Sequence, residues 1–215
     1  MLFHSPSAIF FITITKRKKI MEEEIQTQED PSYGIGDYMP SAAIVGIIFS
    51  LVTFAVGLFF GYQQINAEPT GSFFSPFMIS SGVICLISAL AGLLAVWHFS
   101  KEVSPKIKLG QGAVLGFLTG AIIAILSVAF SELWVLLFDP EYTDKIMSSL
   151  IANIEEMELP SAQKNEMIDA MAESVSSEQS VFRQLFMGIP ITGLINLITA
   201  LIGVKIFAEK PEEKF

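Results

Sequence analysis

Few residues in this sequence have the type and spacing that chemistry at a protein site needs. The chain has one cysteine, Cys85, and two histidines, so neither a cysteine and histidine metal cage nor a Cys/His nucleophile can be assembled with any redundancy. The motifs H-E-x-x-H, G-x-x-x-x-G-K and G-x-S-x-G are all absent from it. We therefore expect no catalytic residue, no cofactor and no metal site, and we expect that the protein is not an enzyme.

Two charged residues at the ends of apolar segments are the remaining candidates for chemistry. Glu132 lies near the end of the third apolar segment, beside Trp134, and Arg183 stands at the start of the fourth. An ionisable group within a membrane helix is by default a functional candidate. We expect Glu132 to be interfacial and to pair with Arg183 at the same level of the membrane. A proton relay or a cation site is the alternative for Glu132.

Small and polar residues in the third and fourth apolar segments predict close helix packing. A ridge of small residues, which we call the small ridge, recurs every four positions and consists of Gly112, Gly116, Gly120 and Ala124. In lipid, such residues let two backbones approach, and polar groups such as Thr192 and Asn196 bond a neighbouring helix. We expect all six residues to pack helices together. The alternatives are a substrate groove along the glycines and a helix broken near Pro190 that lines a solute site.

The elements that must position these residues are membrane spans. Only 16% of the 215 residues are charged, where a soluble domain carries about a quarter, and 52% are hydrophobic. The net charge of -9 excludes a basic nucleic-acid binder, so no nucleic-acid partner is expected. Runs of about 20 apolar residues can cross a bilayer, and four are present: 41–62, 74–99, 110–138 and 184–204.

The distribution of lysines predicts the orientation of these spans. Lys101, Lys106 and Lys108 separate the second span from the third, and Lys205 and Lys210 follow the fourth, whereas residues 63–72 contain no lysine or arginine. Basic residues near span ends are retained in the cytoplasm. The sequence thus predicts a multi-pass protein of the inner (cytoplasmic) membrane, in contact with the lipid bilayer, with both termini cytoplasmic.

The connection between the third and fourth spans is predicted to be an extracytoplasmic acidic helical hairpin. Residues 139–181 hold ten acidic residues against two lysines. Apolar residues recur at helical spacing on both sides of Pro160, so we expect Pro160 to end one short helix and Ser161 to cap the next. We expect the hairpin to lay its apolar face on the membrane or on the end of the bundle. A docking surface for a partner or a cation is the alternative.

The chain is predicted to have three parts. Residues 1–40 form a cytoplasmic N-terminal segment, residues 41–207 form the transmembrane domain, including the outer connection 139–181, and residues 208–215 form a cytoplasmic tail. Residues 1–20 place their apolar part before their basic part, the reverse of a secretory signal, and Met21 then opens an acidic stretch. We expect residues 1–20 to be an upstream extension of the gene model. A polybasic patch at 16–19 that attracts anionic lipid is the alternative.

Several stretches after Ser41 carry a family resemblance. They are the basic turn and glycine-rich start of the third span (KIKLGQGAVLGFLTG), the sequence DPEYTDK at 139–145, the acidic connection, and the last span (IPITGLINLITALIGVKIF). With these stretches the chain resembles the bacterial domain of unknown function 4199 family. The resemblance implies a four-span membrane protein and supplies no activity.

These observations predict an all-α integral membrane four-helix bundle with an extracytoplasmic acidic helical hairpin between spans 3 and 4. The expected function is that of a non-enzymatic structural or accessory protein, which associates with itself or with another membrane protein through the small ridge. The alternative is a small transporter or channel component that uses Glu132, Arg183 and Asn196. A transport path requires Glu132 or Asn196 to meet water, whereas a packing role requires the glycines to stay small.

Overall fold

A computed structural model describes residues 33–178 and 181–209, and in this part the chain forms six helices and no strand. Four of the helices are long and apolar enough to span a membrane: α1 (Ile35–Asn66), α2 (Pro76–Glu102), α3 (Leu109–Leu137) and α6 (Val181–Phe207). Two shorter helices connect α3 to α6, namely α4 (Tyr142–Glu155) and α5 (Ser161–Glu178). The prediction of an all-α chain with four candidate membrane spans is confirmed.

Other predictions fall on parts of the chain that the structure does not describe. The segment 1–20, the alternative polybasic patch at 16–19, the start at Met21 and the last residues of the tail, 210–215, all lie outside the described residues.

The helix ends on either side of Pro160 differ from those expected. α4 ends at Glu155, before Pro160, and the Lys164 Nζ donates a hydrogen bond to the Glu155 carbonyl oxygen at its C-terminus. Ser161 is the first residue of α5, and the Pro160 carbonyl oxygen accepts hydrogen bonds from the backbone N–H groups of Gln163 and Lys164. A cation at the carbonyl end of a helix is favourable, so Lys164 ties the start of α5 to the end of α4.

The four long helices pack as a bundle in which α1 and α6 each lie against both α2 and α3. The most extensive of these interfaces joins α3 to α6. Small side chains fill the interior, since Ala42, Ala91, Ala95 and Ala200 are fully buried, whereas many leucine, isoleucine and phenylalanine side chains point outward. An apolar exterior and a small-residue interior are what helix association in lipid requires.

Asn196 lies where three helices meet, and its side chain is fully buried. Its Oδ1 accepts a hydrogen bond of 2.7 Å from the backbone N–H of Gly92 in α2, and its Nδ2 donates one of 2.9 Å to the Thr192 carbonyl oxygen in α6. The Asn196 carbonyl oxygen lies so close to Gly92 and to Gly116 of α3 that a Cβ atom at either position would overlap it. Asn196 therefore connects α2, α3 and α6.

Two glycines of α2 provide a matched pair that tests this junction. Gly82 has no atom within 4 Å of the place where a Cβ would stand, whereas a Cβ at Gly92 would meet backbone that cannot move aside alone. We expect Gly92→Ala to lower the free energy of unfolding by about 2 kcal/mol, because the added methyl group separates α2 from α6. Gly82→Ala should be neutral or stabilising by up to about 1 kcal/mol through helix propensity.

Thermal melting in mild detergent, followed by fluorescence-detected size exclusion, measures both variants. Equal melting temperatures for Gly82→Ala and Gly92→Ala would show that α2 and α6 are not in tight contact.

Candidate functional site

A cluster of polar side chains lies at the end of the bundle where α1 ends and α2 begins, which we call the distal end. Tyr62 stands near the end of α1, Trp134 in the last turn of α3 and Asp139 just after α3. The Trp134 Nε1 donates a hydrogen bond of 3.3 Å to the Tyr62 hydroxyl oxygen, and the Tyr62 hydroxyl donates one of 2.9 Å to Asp139 Oδ2. This chain of hydrogen bonds joins α1 to α3.

Lys145 and Tyr142, at the start of α4, complete what we call the distal cluster: Tyr62, Trp134, Asp139, Tyr142 and Lys145. The Lys145 Nζ lies 2.8 Å from Asp139 Oδ1 and 3.4 Å from Glu141 Oε2. Both oxygens of the Asp139 carboxylate therefore have a donor. The Tyr142 ring lies 5.3 Å from the Tyr62 ring and covers Gly61, where a Cβ would overlap the Tyr142 hydroxyl.

An aromatic layer lies beneath the polar groups of the distal cluster. The Trp134 ring stacks on Phe138 at a centroid distance of 4.8 Å and meets Phe54 edge-on at 6.0 Å. Phe54 in turn contacts Phe130 at 5.6 Å. Tyrosine and tryptophan are enriched where a membrane meets water, because such rings have an apolar body and a polar tip. The layer is typical of a membrane boundary.

The electrostatics of the distal cluster favour a charged ion pair. The hydrogen bond from Lys145, followed by that from Tyr62, lowers the pKa of Asp139 below its ordinary value. The same hydrogen bond to Asp139 raises the pKa of Lys145, and burial raises the pKa of Tyr142. Both pKa values of the ion pair move away from neutral pH, so both groups stay charged there. The pair therefore stabilises the structure and is poorly suited to transfer a proton.

Asn153 of α4 is a second polar connection at the distal end. Its Oδ1 accepts hydrogen bonds of 3.2 Å from the backbone N–H groups of Thr70 and Gly71, and its Nδ2 donates one of 2.8 Å to the Ser72 carbonyl oxygen. Gly71 has a φ of 66°, and a Cβ there would overlap the Glu156 carbonyl oxygen. α4 is thereby fastened to the loop between α1 and α2.

Sequence reasoning missed Asn153. The signal available was an amide side chain among the apolar residues of an amphipathic helix, opposite a connection that contains the turn residues Thr70, Gly71 and Ser72. The residues of the ion pair stood inside the segment that carried the family resemblance, but no chemistry was assigned to them.

The small ridge faces α6 of the same chain. A Cβ at Gly112 would meet the side chain of Val204, one at Gly116 would meet Asn196 and Ala200, and one at Gly120 would meet the Thr192 carbonyl oxygen. Ala124 is buried, and a Cβ at Gly188 would stand 3.8 Å from its Cβ. The ridge, Thr192 and Asn196 thus come together in one interface, which leaves the ridge itself covered.

Glu132 and Arg183 are not brought together. Both are exposed, and in the described part of the chain they form no ion pair with each other. In the same part of the chain, no three His, Cys, Asp or Glu residues are grouped so that they could hold a metal ion.

A comparison with protein families identifies the chain's relatives. The model of a family described as protein of unknown function (DUF4199) matches residues 40–205. The chain belongs to the DUF4199 family. The match runs from α1 to the last turn of α6, so the DUF4199 region contains the bundle, the distal cluster and Asn153, and the resemblance inferred from the sequence is confirmed. No curated protein and no solved structure matches the chain.

The Asp139 to Lys145 pair of this DUF4199 protein predicts a pH dependence of stability. A carboxyl group with a lowered pKa in the folded protein stabilises it above the ordinary value of 3.8, and this contribution is lost as the pH falls through the lower folded value. Lys145 has a raised pKa, so it stabilises the folded protein below its ordinary pKa of 10.5. This contribution is lost as the pH rises through the higher folded value.

We therefore expect Asp139→Asn to lower the melting temperature by a few degrees at about pH 7. The difference from the unmodified protein should shrink as the pH falls below 3.8. Glu132→Gln removes one carboxylate from an exposed position and is the matched control, with no change expected at about pH 7. A difference for Asp139→Asn that stays constant down to about pH 2 would contradict the role of the pair.

Proposed function

We propose that this DUF4199 protein is a non-enzymatic structural or accessory protein of the bacterial inner membrane. The observation that carries the proposal is the closed interior of the bundle. Among the described residues, every buried side-chain nitrogen or oxygen has a hydrogen-bond partner. Polar groups that bind a solute must be available to it, and here they are used to join helices.

Association with another copy or another membrane protein then uses an outer face of the bundle. The small ridge is occupied by α6, so it cannot bind a partner helix while the bundle is closed. The small ridge therefore holds the bundle together, and association with a partner is proposed to use a different surface from the ridge that the sequence alone suggested.

A transporter or channel that uses Glu132, Arg183 and Asn196 has less support. Asn196 is fully buried, and both polar atoms of its side chain are engaged with Gly92 and Thr192. Glu132 and Arg183 are exposed and form no ion pair with each other in the described part of the chain. A transport path would need these three groups to line one route that water can enter.

The proposed orientation places both termini in the cytoplasm. Exposed lysines at the end opposite the distal end, namely Lys101, Lys106 and Lys205, are the residues that the cytoplasm retains. The distal end then lies outside the cytoplasm, and α4 and α5 form an acidic hairpin there. The exposed carboxylates of these helices and of the turn between them, which include Glu155, Glu158, Glu166 and Asp169, offer an outward surface to a partner with basic groups.

Cysteine labelling tests this orientation. In a Cys85→Ser background, Lys106→Cys and Glu156→Cys place one thiol at each exposed end of the bundle. On intact spheroplasts, an impermeant maleimide should label position 156 alone, and after lysis it should label both positions. Labelling of position 106 on intact spheroplasts would contradict the proposed orientation.

The closed interior is tested with a thiol beside Asn196. The Thr199 hydroxyl donates to the Asn196 carbonyl oxygen from a half-buried position of α6, and cysteine is close to threonine in size. If the bundle is closed to water as proposed, we expect Thr199→Cys, again with Cys85→Ser, to stay unreactive toward a small water-soluble methanethiosulfonate from either side of the membrane. Glu156→Cys is the reactive control. Reaction at position 199 in the folded protein would favour the transporter.

A further inference from the structure

An open groove of about 640 Å³ lies on the bundle surface at the distal end, within the volume range of known ligand sites. One face of α1 forms its floor, because its lining residues on that helix recur at intervals of three and four positions, among them Ala55, Phe59, Tyr62, Gln63 and Asn66. Trp134 of α3 forms a wall of the groove.

The groove changes from apolar to polar along its length. Ala55 and Phe59 lie at one end, and the side chain of Phe59 is 59% exposed. Gln63 and Asn66 lie at the other end, about 12 Å and about 16 Å along the helix axis from Ala55 at 1.5 Å per residue. Since α1 is a candidate membrane span, the apolar end lies beside hydrocarbon and the amide end reaches the headgroup level. A phospholipid has the same order of polarity over a similar length.

Gln63 supplies an available hydrogen-bond donor at the polar end. Its neighbours are engaged: Tyr62 bonds Asp139 and Trp134, and the Gln64 Oε1 accepts from the backbone N–H of Phe77. In the described part of the chain, the exposed Gln63 side chain has no hydrogen bond. Its amide N–H group can donate to an ester carbonyl or a phosphate oxygen.

The charged side chains near the polar end of the groove select among lipid headgroups. Lys145 is the single cation of the distal cluster, and it is held by two carboxylates, Asp139 and Glu141. A third carboxylate, Glu68, is exposed two residues beyond the end of α1. These charged groups lie just beyond the lining of the groove: Asp139 accepts a hydrogen bond from the lining residue Tyr62, and Glu68 follows the lining residue Asn66 by two positions. We call them the acidic rim. Three carboxylates against one ammonium group repel an anionic headgroup and attract a headgroup ammonium.

We propose that this groove binds an aminophospholipid of the surrounding bilayer. One acyl chain lies along Ala55 and Phe59 beside Trp134, the ester and phosphate oxygens meet Gln63, and the headgroup ammonium faces the acidic rim. The site does not depend on the accessory role, because it is defined by the bilayer-facing side of α1.

Fluorescence quenching by lipids with brominated acyl chains tests the proposal, because the chain has only two tryptophans. In a Trp97→Phe background Trp134 is the sole emitter. The protein is reconstituted in nanodiscs in which brominated phosphatidylethanolamine or brominated phosphatidylglycerol replaces unlabelled phosphatidylcholine in steps. We expect phosphatidylethanolamine to quench Trp134 at about tenfold lower mole fraction than phosphatidylglycerol.

Two variants separate the parts of the proposal. Ala55→Phe fills the apolar end of the groove and should abolish the preferential quenching, whereas Ile48→Phe, on an exposed surface of α1 outside the groove, should preserve it. Glu68→Gln combined with Glu141→Gln should reduce the preference for phosphatidylethanolamine, whereas Glu102→Gln at the opposite end of the bundle should not.

The proposal is overturned by equal quenching with the two lipids in the unmodified groove. It is also overturned if Ala55→Phe behaves like Ile48→Phe while both proteins elute as folded, monodisperse species. A preference that survives the loss of Glu68 and Glu141 charge would overturn the assignment of the headgroup.

Discussion

The close approach of α6 to the glycines of α2 and α3 is the constraint on which the bundle depends. In lipid, apolar side chains gain little by leaving the solvent, so helices associate through contact between backbones and through hydrogen bonds of about 1 kcal/mol or less. Asn196 provides both, since its carbonyl oxygen fits against Gly92 and Gly116 and its side chain bonds the Gly92 N–H. A larger residue at either glycine would separate the helices by the width of a side chain, and no solvent force would bring them back together.

The distal end is held together by side-chain hydrogen bonds and an ion pair, in contrast to the backbone contacts of the bundle interior. There the Asp139 to Lys145 ion pair, the Tyr62 hydroxyl and the Asn153 amide hold α4 against the ends of α1 and α3 and against the loop between α1 and α2. Polar contacts of this kind are directional, so they fix the angle at which α4 leaves the bundle. The same contacts keep Tyr62 and Trp134 in place as one boundary of the groove on α1, which links the fastening of α4 to the shape of the proposed lipid site.

A closed interior and a polar, aromatic rim together account for the proposed role. The interior offers no polar group that a solute could use among the described residues, whereas the outer surface offers apolar helix faces and an acidic pair of short helices. Contacts with lipid or with a partner protein are therefore concentrated on the outside of the bundle. The proposed scaffold role therefore depends on what binds the outer surface.

The sequence alone determined the four spans, the helical connection between the third and fourth, and the face on which the small ridge lies, because helix length, hydropathy and the period of 3.6 residues are local properties. It could not determine which helix the ridge meets. Gly92 forms one of the tightest contacts of the bundle, but its partner Asn196 is 104 positions away in the chain, so no local pattern pointed to the pair. The expectation that Glu132 pairs with Arg183 was based on their depth in the membrane. Depth does not determine how each helix is rotated about its axis, so it does not determine whether two side chains face each other. Asn153, Gly71 and the groove beside Trp134 likewise depend on how separate elements meet, and only the tertiary structure decides that.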